Sequence, residues 1–184
     1  ILYGTKKLFS NVSGEADTEN MLAEYNAGFK QDMRRFLKSD EGMISGAEFH
    51  VRRNTGSFGT INYMANQDGF TLYDTVAYNY RHNEANGEDN RDGSEFNYSW
   101  NCGIEGATRK QVIRKMREQQ MRNAFLMLLL SQGTPMIYGG DEFANSQAGN
   151  NNAWCQDNAV GWTDWKNAKK QENLSSFVKE AIAF

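Results

Sequence analysis

The sequence predicts an α/β fold, a parallel sheet built from strand–helix units, on three observations. Short apolar runs alternate with segments of helical period. Long polar loops separate the units. Two of the apolar runs stop in turn-forming residues that carry acids: Asn66-Gln67-Asp68-Gly69 after Ile61–Ala65, and Gly139-Gly140-Asp141-Glu142 after Met136–Tyr138.

Taken in order, Ile1–Tyr3 reads as a first buried strand, followed by a loop rich in Ser, Gly, Asn and Asp from Ser10 to Asn20. Met21–Tyr25 is a second, weaker strand. Phe29, Met33, Phe36 and Leu37 then recur at helical spacing, with Arg34, Arg35 and Lys38 late in that helix, where cations favour its negative end. Ile61–Ala65 has the length and composition of a third strand. Thr71–Tyr80 follows as a short helix with Leu72, Val76 and Tyr80 on one face.

From Arg81 to Gly106 the chain shows little periodicity, and a loop this long in a compact domain is functional or disordered. Thr108 then caps a long helix, Gln111 completes a capping box, and Val112, Met116, Gln120, Asn123 and Met127 continue one face. Its second half, Ala124 to Leu130, is apolar all round and is expected to be buried. Met136–Tyr138 is the fourth strand. The polar loop Phe143 to Asn158 leads to Trp162 and Trp165, and an amphipathic helix ends the chain with Leu174, Phe177, Val178 and Ile182 inward.

Composition narrows the classes. Of the 184 residues 39% are hydrophobic and 23% charged, which suits a soluble globular domain. A net charge of −3 with interspersed signs points to neither a nucleic-acid nor a membrane partner. Cys102 and Cys155 are too few for a disulfide framework and lack metal-type spacing, so reduced thiols in a cytoplasm are expected. No run approaches a membrane span and the first residues lack a signal-peptide pattern. The chain opens in the apolar run Ile1-Leu2-Tyr3-Gly4, as if cut from a longer polypeptide.

The strand-end acids are the candidate functional groups, because β/α barrels place their chemistry at the carboxyl ends of the strands. Asp68 is one; Asp141 and Glu142 satisfy the same argument, although an acid pair beside Gly also serves as a cap or a loop ion-pair partner. His50 and His82 are far apart and have no partners at ligand spacing. Glu84, Glu88, Asp89 and Asp92 crowd one loop, but without the spacing of an EF-hand. No metal and no cofactor is therefore expected.

The runs INYMANQDGFTLYDTVAYNYRHNEANGEDNRDGSEFNYSWNCG, RNAFLMLLLSQGTPMIYGGDEF and QAGNNNAWCQDNAVGWTDW together resemble the glycogen debranching enzymes, the isoamylase and pullulanase branch of the α-amylase family. The resemblance implies retaining hydrolysis of α-1,6 branch links on an eightfold β/α barrel. It assigns the four strands as barrel strands five to eight, so that residues 1–184 form one partial catalytic domain, a partial (β/α)8 TIM barrel with long βα loops. A complete barrel needs roughly 250 residues.

The same resemblance sets roles. The nucleophilic Asp belongs to a strand preceding Ile1, and Thr5 occupies the position of the acid/base Glu, where a hydroxyl is too weak an acid to replace a carboxyl. Asp68 matches the transition-state carboxylate that holds sugar hydroxyls. Gln67 stands where the family carries His, keeping a donor but no charge. Gln67, Asp68, Asp141 and Glu142 are then the substrate-binding set, and Trp100, Trp154, Trp162 and Trp165 either stack on sugars or anchor packing. Three functions follow: a debranching-enzyme fragment or degenerate copy that is inactive as this chain, an α-glucan-binding module, or a half barrel that pairs with a second copy or with a missing amino-terminal half.

Overall fold

Four strands form one sheet in chain order, β1 (Leu2–Tyr3), β2 (Ala23–Tyr25), β3 (Gly59–Tyr63) and β4 (Thr134–Met136), in a computed structural model that describes residues 2–3, 23–55 and 59–184. β2, β3 and β4 run parallel, with Tyr25 opposite Ile61 and Ile61 opposite Thr134. Two helices, α1 (Ala27–Leu37) and α2 (Ile44–Arg52), connect β2 to β3. The short α3 (Leu72–Thr75), a long loop and α4 (Gln111–Leu129) connect β3 to β4. After β4 come α5 (Trp165–Lys170) and α6 (Glu172–Ala183).

One expectation fails in the sheet. β1 pairs antiparallel with β2, Leu2 opposite Glu24, where a fully parallel sheet was expected. A short apolar run signals burial but carries no direction; the connection sets direction, and an antiparallel pair needs no crossover helix.

β3 and β4 each begin and end two residues earlier than their apolar runs suggest. Met64 and Ala65, 2% and 1% exposed, lie past the paired ladder and are buried in the core. Hydrophobic runs therefore mark what is buried rather than what is paired. The core joins Phe29 and Met33 of α1, Leu72 and Val76, Met121, Ala124, Phe125 and Leu128 of α4, and Leu174 and Val178 of α6.

Helix α1 starts at Asn26, whose side chain accepts the Phe29 N–H at 3.1 Å and donates to Asn62 Oδ1 at 2.8 Å, tying the helix to β3. Its buried face is Phe29, Met33 and Arg34, while Phe36 is exposed. Arg34 is therefore an interior group rather than a solvated cation at the helix end. Residues 44–52, which carry no clear helical signal in the sequence, form α2 with Ala47 and His50 buried one turn apart. The last helix buries Leu174 and Val178 as expected but leaves Ile182 exposed.

Helix α4 is rotated relative to its expected face. Val112 and Met116 are exposed, and Arg117, Met121, Ala124, Phe125 and Leu128 point inward. The reason is Arg117, which donates to the carbonyls of Gly106 at 2.7 Å, Asn101 at 3.0 Å and Ile104, and so clamps the loop ahead of the helix. The apolar half is buried on one side only, with Leu126 and Leu130 exposed. Thr108 accepts the Lys110 N–H at 3.2 Å, which makes it a local turn rather than a cap.

Candidate functional site

The carboxyl end of β3 emerges between two buried anchors. Asn66 is 4% exposed and Phe70 fully buried, while Gln67 and Asp68 between them stand in solvent. Gly69 turns the chain back at φ +107°, a region that disfavours any residue with a Cβ, and its N–H donates to the Asn151 carbonyl at 3.0 Å. Thr71 then caps α3 by accepting the Asp74 N–H at 3.1 Å. Among the described residues, the Asp68 carboxylate makes no hydrogen bond or ion pair.

Two cations of α1 support this turn from beneath. Arg34 donates from Nε to Met64 O at 2.7 Å, from one terminal nitrogen to Phe70 O at 3.0 Å and from the other to Asn97 O at 3.1 Å. Burial pulls its guanidinium down to about 10, still charged at neutral pH. Lys30 Nζ lies 3.3 Å from Asn66 Oδ1, 3.2 Å from the Asp68 carbonyl and 5.5 Å from the centre of the Tyr63 ring. Partial burial, with Arg34 adding to it, lowers the ammonium to about 8, and Asp68 opposes the shift. Lys30 is a donor beside the turn that sequence reading did not single out.

The other strand-end acids are turned toward the protein. Asp141, 3% exposed, accepts the Leu72 N–H on Oδ1 at 2.9 Å. Burial pushes its carboxyl up to about 7 against the Leu72 hydrogen bond and the charge of Arg34. Glu142 is half-buried, with Oε2 accepting the Gly140 N–H at 2.9 Å. Asp74, fully buried, accepts from Ser146 Oγ and from the Gln147 N–H at 2.8 Å, and burial pushes it up to about 6. The spacing Thr71-x-x-Asp74 is a capping-box signal that sequence reading passed over. Thr5 lies outside the described residues.

An asparagine network fixes the two long loops around the turn. Asn151 accepts from Asn83 Nδ2 at 2.8 Å, donates to Asn97 Oδ1 at 2.7 Å and to Ser94 O at 2.8 Å, and its N–H reaches Asn83 Oδ1 at 2.9 Å. Asp92 Oδ2 accepts from Asn86 at 2.7 Å and from Asn152 at 2.8 Å. Carboxamides suit this task because each carries donors and an acceptor at one end. The expected functional-or-disordered loop is therefore ordered, by side chains rather than by a ladder.

The remaining candidates separate. His50 Nε2 lies 3.1 Å from Asp32 Oδ2 and His82 Nε2 lies 3.2 Å from Glu105 Oε1, so each histidine has a carboxylate partner that its sequence neighbours did not reveal. Asp89 pairs with Arg91 at 3.2 Å, and among the described residues no group of three or more His, Cys, Asp or Glu side chains could hold a metal. Cys102 is buried, its thiol pushed up to about 11, and Cys155 is exposed; both are free. Trp154, Trp162 and Trp165 are 85%, 60% and 72% exposed, which makes none of them a buried packing anchor. No helix among the described residues is long and apolar enough to cross a membrane.

No family model matches the chain. It is similar to a Mycobacterium tuberculosis protein described as a glycogen operon protein GlgX homolog, 43% identical over 172 residues, covering 88% of this chain and 23% of that protein. It is 44% identical over 155 residues to the glycogen debranching enzyme of Dickeya chrysanthemi and 40% identical over 164 residues to the chloroplastic isoamylase 1 of Arabidopsis thaliana, covering 80% and 85% of this chain. It spans 24% and 21% of those two relatives, so in each case under a quarter of the relative's length is matched. Among solved structures, the pullulanase of Bacillus acidopullulyticus superposes with a TM-score of 0.61 at 16% identity, over 88% of this chain and 18% of that one. A Paenibacillus barengoltzii pullulanase complexed with maltohexaose and alpha-cyclodextrin gives 0.61 at 18% identity, over 88% and 24%. These likenesses show a shared α/β fold.

Proposed function

The chain belongs to the family of glycogen debranching enzymes and isoamylases over the stretch it shares with them, and on that premise we propose that the end of β3 is an α-glucan site that holds sugar without cleaving it. Asp68 accepts hydrogen bonds from sugar hydroxyls, and the Gln67 carboxamide and the Lys30 ammonium supply donors beside it. The observation that carries this reading is the exposed, unpaired Asp68 carboxylate on a turn that Arg34 holds rigid from below. Asp74 and Asp141, by contrast, are buried and spent on backbone N–H groups.

The proposal extends to architecture. β2, β3 and β4 correspond to barrel strands six to eight, and residues 1–184 to one partial catalytic domain. The antiparallel β1 gives no support to its place as strand five. Asp141, buried, fixes α3 through the Leu72 N–H, and Glu142, half-buried, accepts the Gly140 N–H and stays in the proposed sugar-binding set.

Retaining hydrolysis requires a nucleophilic carboxylate and an acid/base carboxyl about 5 to 5.5 Å apart. By resemblance the acid/base position is Thr5. A hydroxyl forfeits the roughly 10²- to 10⁴-fold contribution of general acid catalysis. With Gln67 in place of His, binding outlasts turnover. The test is reducing-sugar release from pullulan and glycogen by the purified chain: none is expected, and sustained release that depends on Asp68 overturns the non-cleaving assignment.

A second reading draws on the sheet edge. Thr134 and Pro135 of β4 are exposed, with no strand on the far side of β4 among the described residues. An open parallel edge invites pairing. On this reading a second copy or another chain completes the sheet, and a compact monomer persisting at high dilution in sedimentation counts against it.

A further inference from the structure

Away from Gln67 and Asp68, the amino-terminal half of α4, the loop after Phe143 and α5 surround a cavity of about 900 Å³. That volume falls in the range of roughly 300–1,000 Å³ found for small-molecule sites. Neither Gln67 nor Asp68 lines it. Trp162 and Trp165 do, both largely exposed, although leaving a large apolar ring in water forgoes roughly 1.5–3 kcal/mol. The rings are also held before any ligand arrives. Trp165 rests on the buried Phe143 with ring centroids 5.5 Å apart, and Trp162 Nε1 donates to Asp157 Oδ1 at 2.9 Å.

The polar lining completes the pattern. The side chains of Gln111, Gln171 and Lys166 border the cavity and make no hydrogen bond among the described residues. Arg114, Lys115, Arg117 and Lys166 line it against Glu118 and Asp164, with Arg117 committed to loop carbonyls and Glu118 paired with Arg122 at 2.8 Å, so the lining is moderately basic. Fixed flat rings beside unspent donors and acceptors match a pyranose, whose C–H face stacks while its hydroxyls hydrogen-bond. A protein partner would find polar groups interrupting the apolar surface.

We propose that the Trp162–Trp165 cavity is a second α-glucan-binding site, separate from the turn at Asp68. The inference rests on the α-glucan reading given above for the Asp68 site. It assigns the exposed indoles to holding a glucan chain outside the cleft.

Titration of the whole chain with maltoheptaose, followed in parallel by indole fluorescence and by calorimetry, tests both sites separately. The expected result is a saturable indole response in the parent and in Asp68→Ala, with a dissociation constant on the order of 1 mM, and calorimetric binding at that site weakened at least about tenfold in Trp162→Ala/Trp165→Ala. Trp165→Phe, which keeps a flat ring, is expected to stay within about threefold of the parent. Because both indoles are exposed, the variants should unfold at the parent temperature. The proposal is overturned by no saturable indole response, by calorimetric binding that the double Trp variant leaves unchanged, or by an indole response that Asp68→Ala alone abolishes. Were the double variant instead to change sedimentation without touching the glucan response, the face would belong to a protein contact and the proposal would equally fail. Loss of Asp68-dependent binding with the indole response intact would remove the cleft reading and leave the second site standing.

Discussion

Arg34 Nε donates to the Met64 carbonyl oxygen at 2.7 Å, just ahead of the exposed Gln67-Asp68 pair, and the same guanidinium reaches the Phe70 carbonyl on the far side of that pair at 3.0 Å. One side chain of α1 thus closes the turn at both ends.

Replacing it tests the clamp. Arg34→Met would strand the buried carbonyls of Met64, Phe70 and Asn97, and each such loss costs roughly 1–3 kcal/mol. Urea unfolding should therefore show a loss of about 3 kcal/mol or more. Arg34→Lys should recover little, because an ammonium lacks the planar fork that serves three acceptors. An unchanged unfolding midpoint in Arg34→Met would contradict the clamp.

Asn151 is the hub of the loop network. Asn151→Ala removes its side-chain bonds to Asn83, Asn97 and Ser94, at a cost of about 2–4 kcal/mol if the partners stay buried. Hydrogen exchange should accelerate in residues 83–97 and at Gly69, whose N–H bonds the Asn151 carbonyl. Acceleration confined to residues 150–152 would mean that the loops hold themselves.

Stability should fall as pH rises through neutrality. Asp141 and Asp74 are raised to about 7 and about 6 by burial, above the ordinary carboxylate value of 3.8. Between pH 4 and 7 the folded chain binds these protons more tightly than the unfolded chain, so their contribution is complete below about pH 4 and lost as pH climbs through about 7. Asp141→Asn keeps an oxygen for the Leu72 N–H and removes the titration. Its thermal midpoint should decline less than the parent's between pH 5 and 8, and parallel declines would rule out Asp141 as the source.

What the sequence made legible follows from what each signal encodes. The three parallel strands, α1 and the exposed Asp68 could be read because apolar runs, helical spacing and the turn Asn66-Gln67-Asp68-Gly69 are local. The inner face of α4 could not, since Arg117 is buried by the carbonyls it meets in a distant loop. Arg34 was hidden for the same reason. Asp141 shares a strand-end position with Asp68 yet is buried, and only the approach of α3, through Leu72, distinguishes the two. The antiparallel β1 shows that a short apolar run states burial and leaves direction to its connection.

Calorimetric titration of maltoheptaose into Trp162→Ala/Trp165→Ala with and without Asp68→Ala, at neutral pH and with reducing ends assayed after each run, isolates the Asp68 site from the second one and so tests the central claim most directly. Saturable binding is expected, weakened by Asp68→Ala by about tenfold or more, equivalent to about 1.4 kcal/mol, with no new reducing ends. Equal affinity in both proteins, or reducing ends that appear only when Asp68 is present, would contradict it.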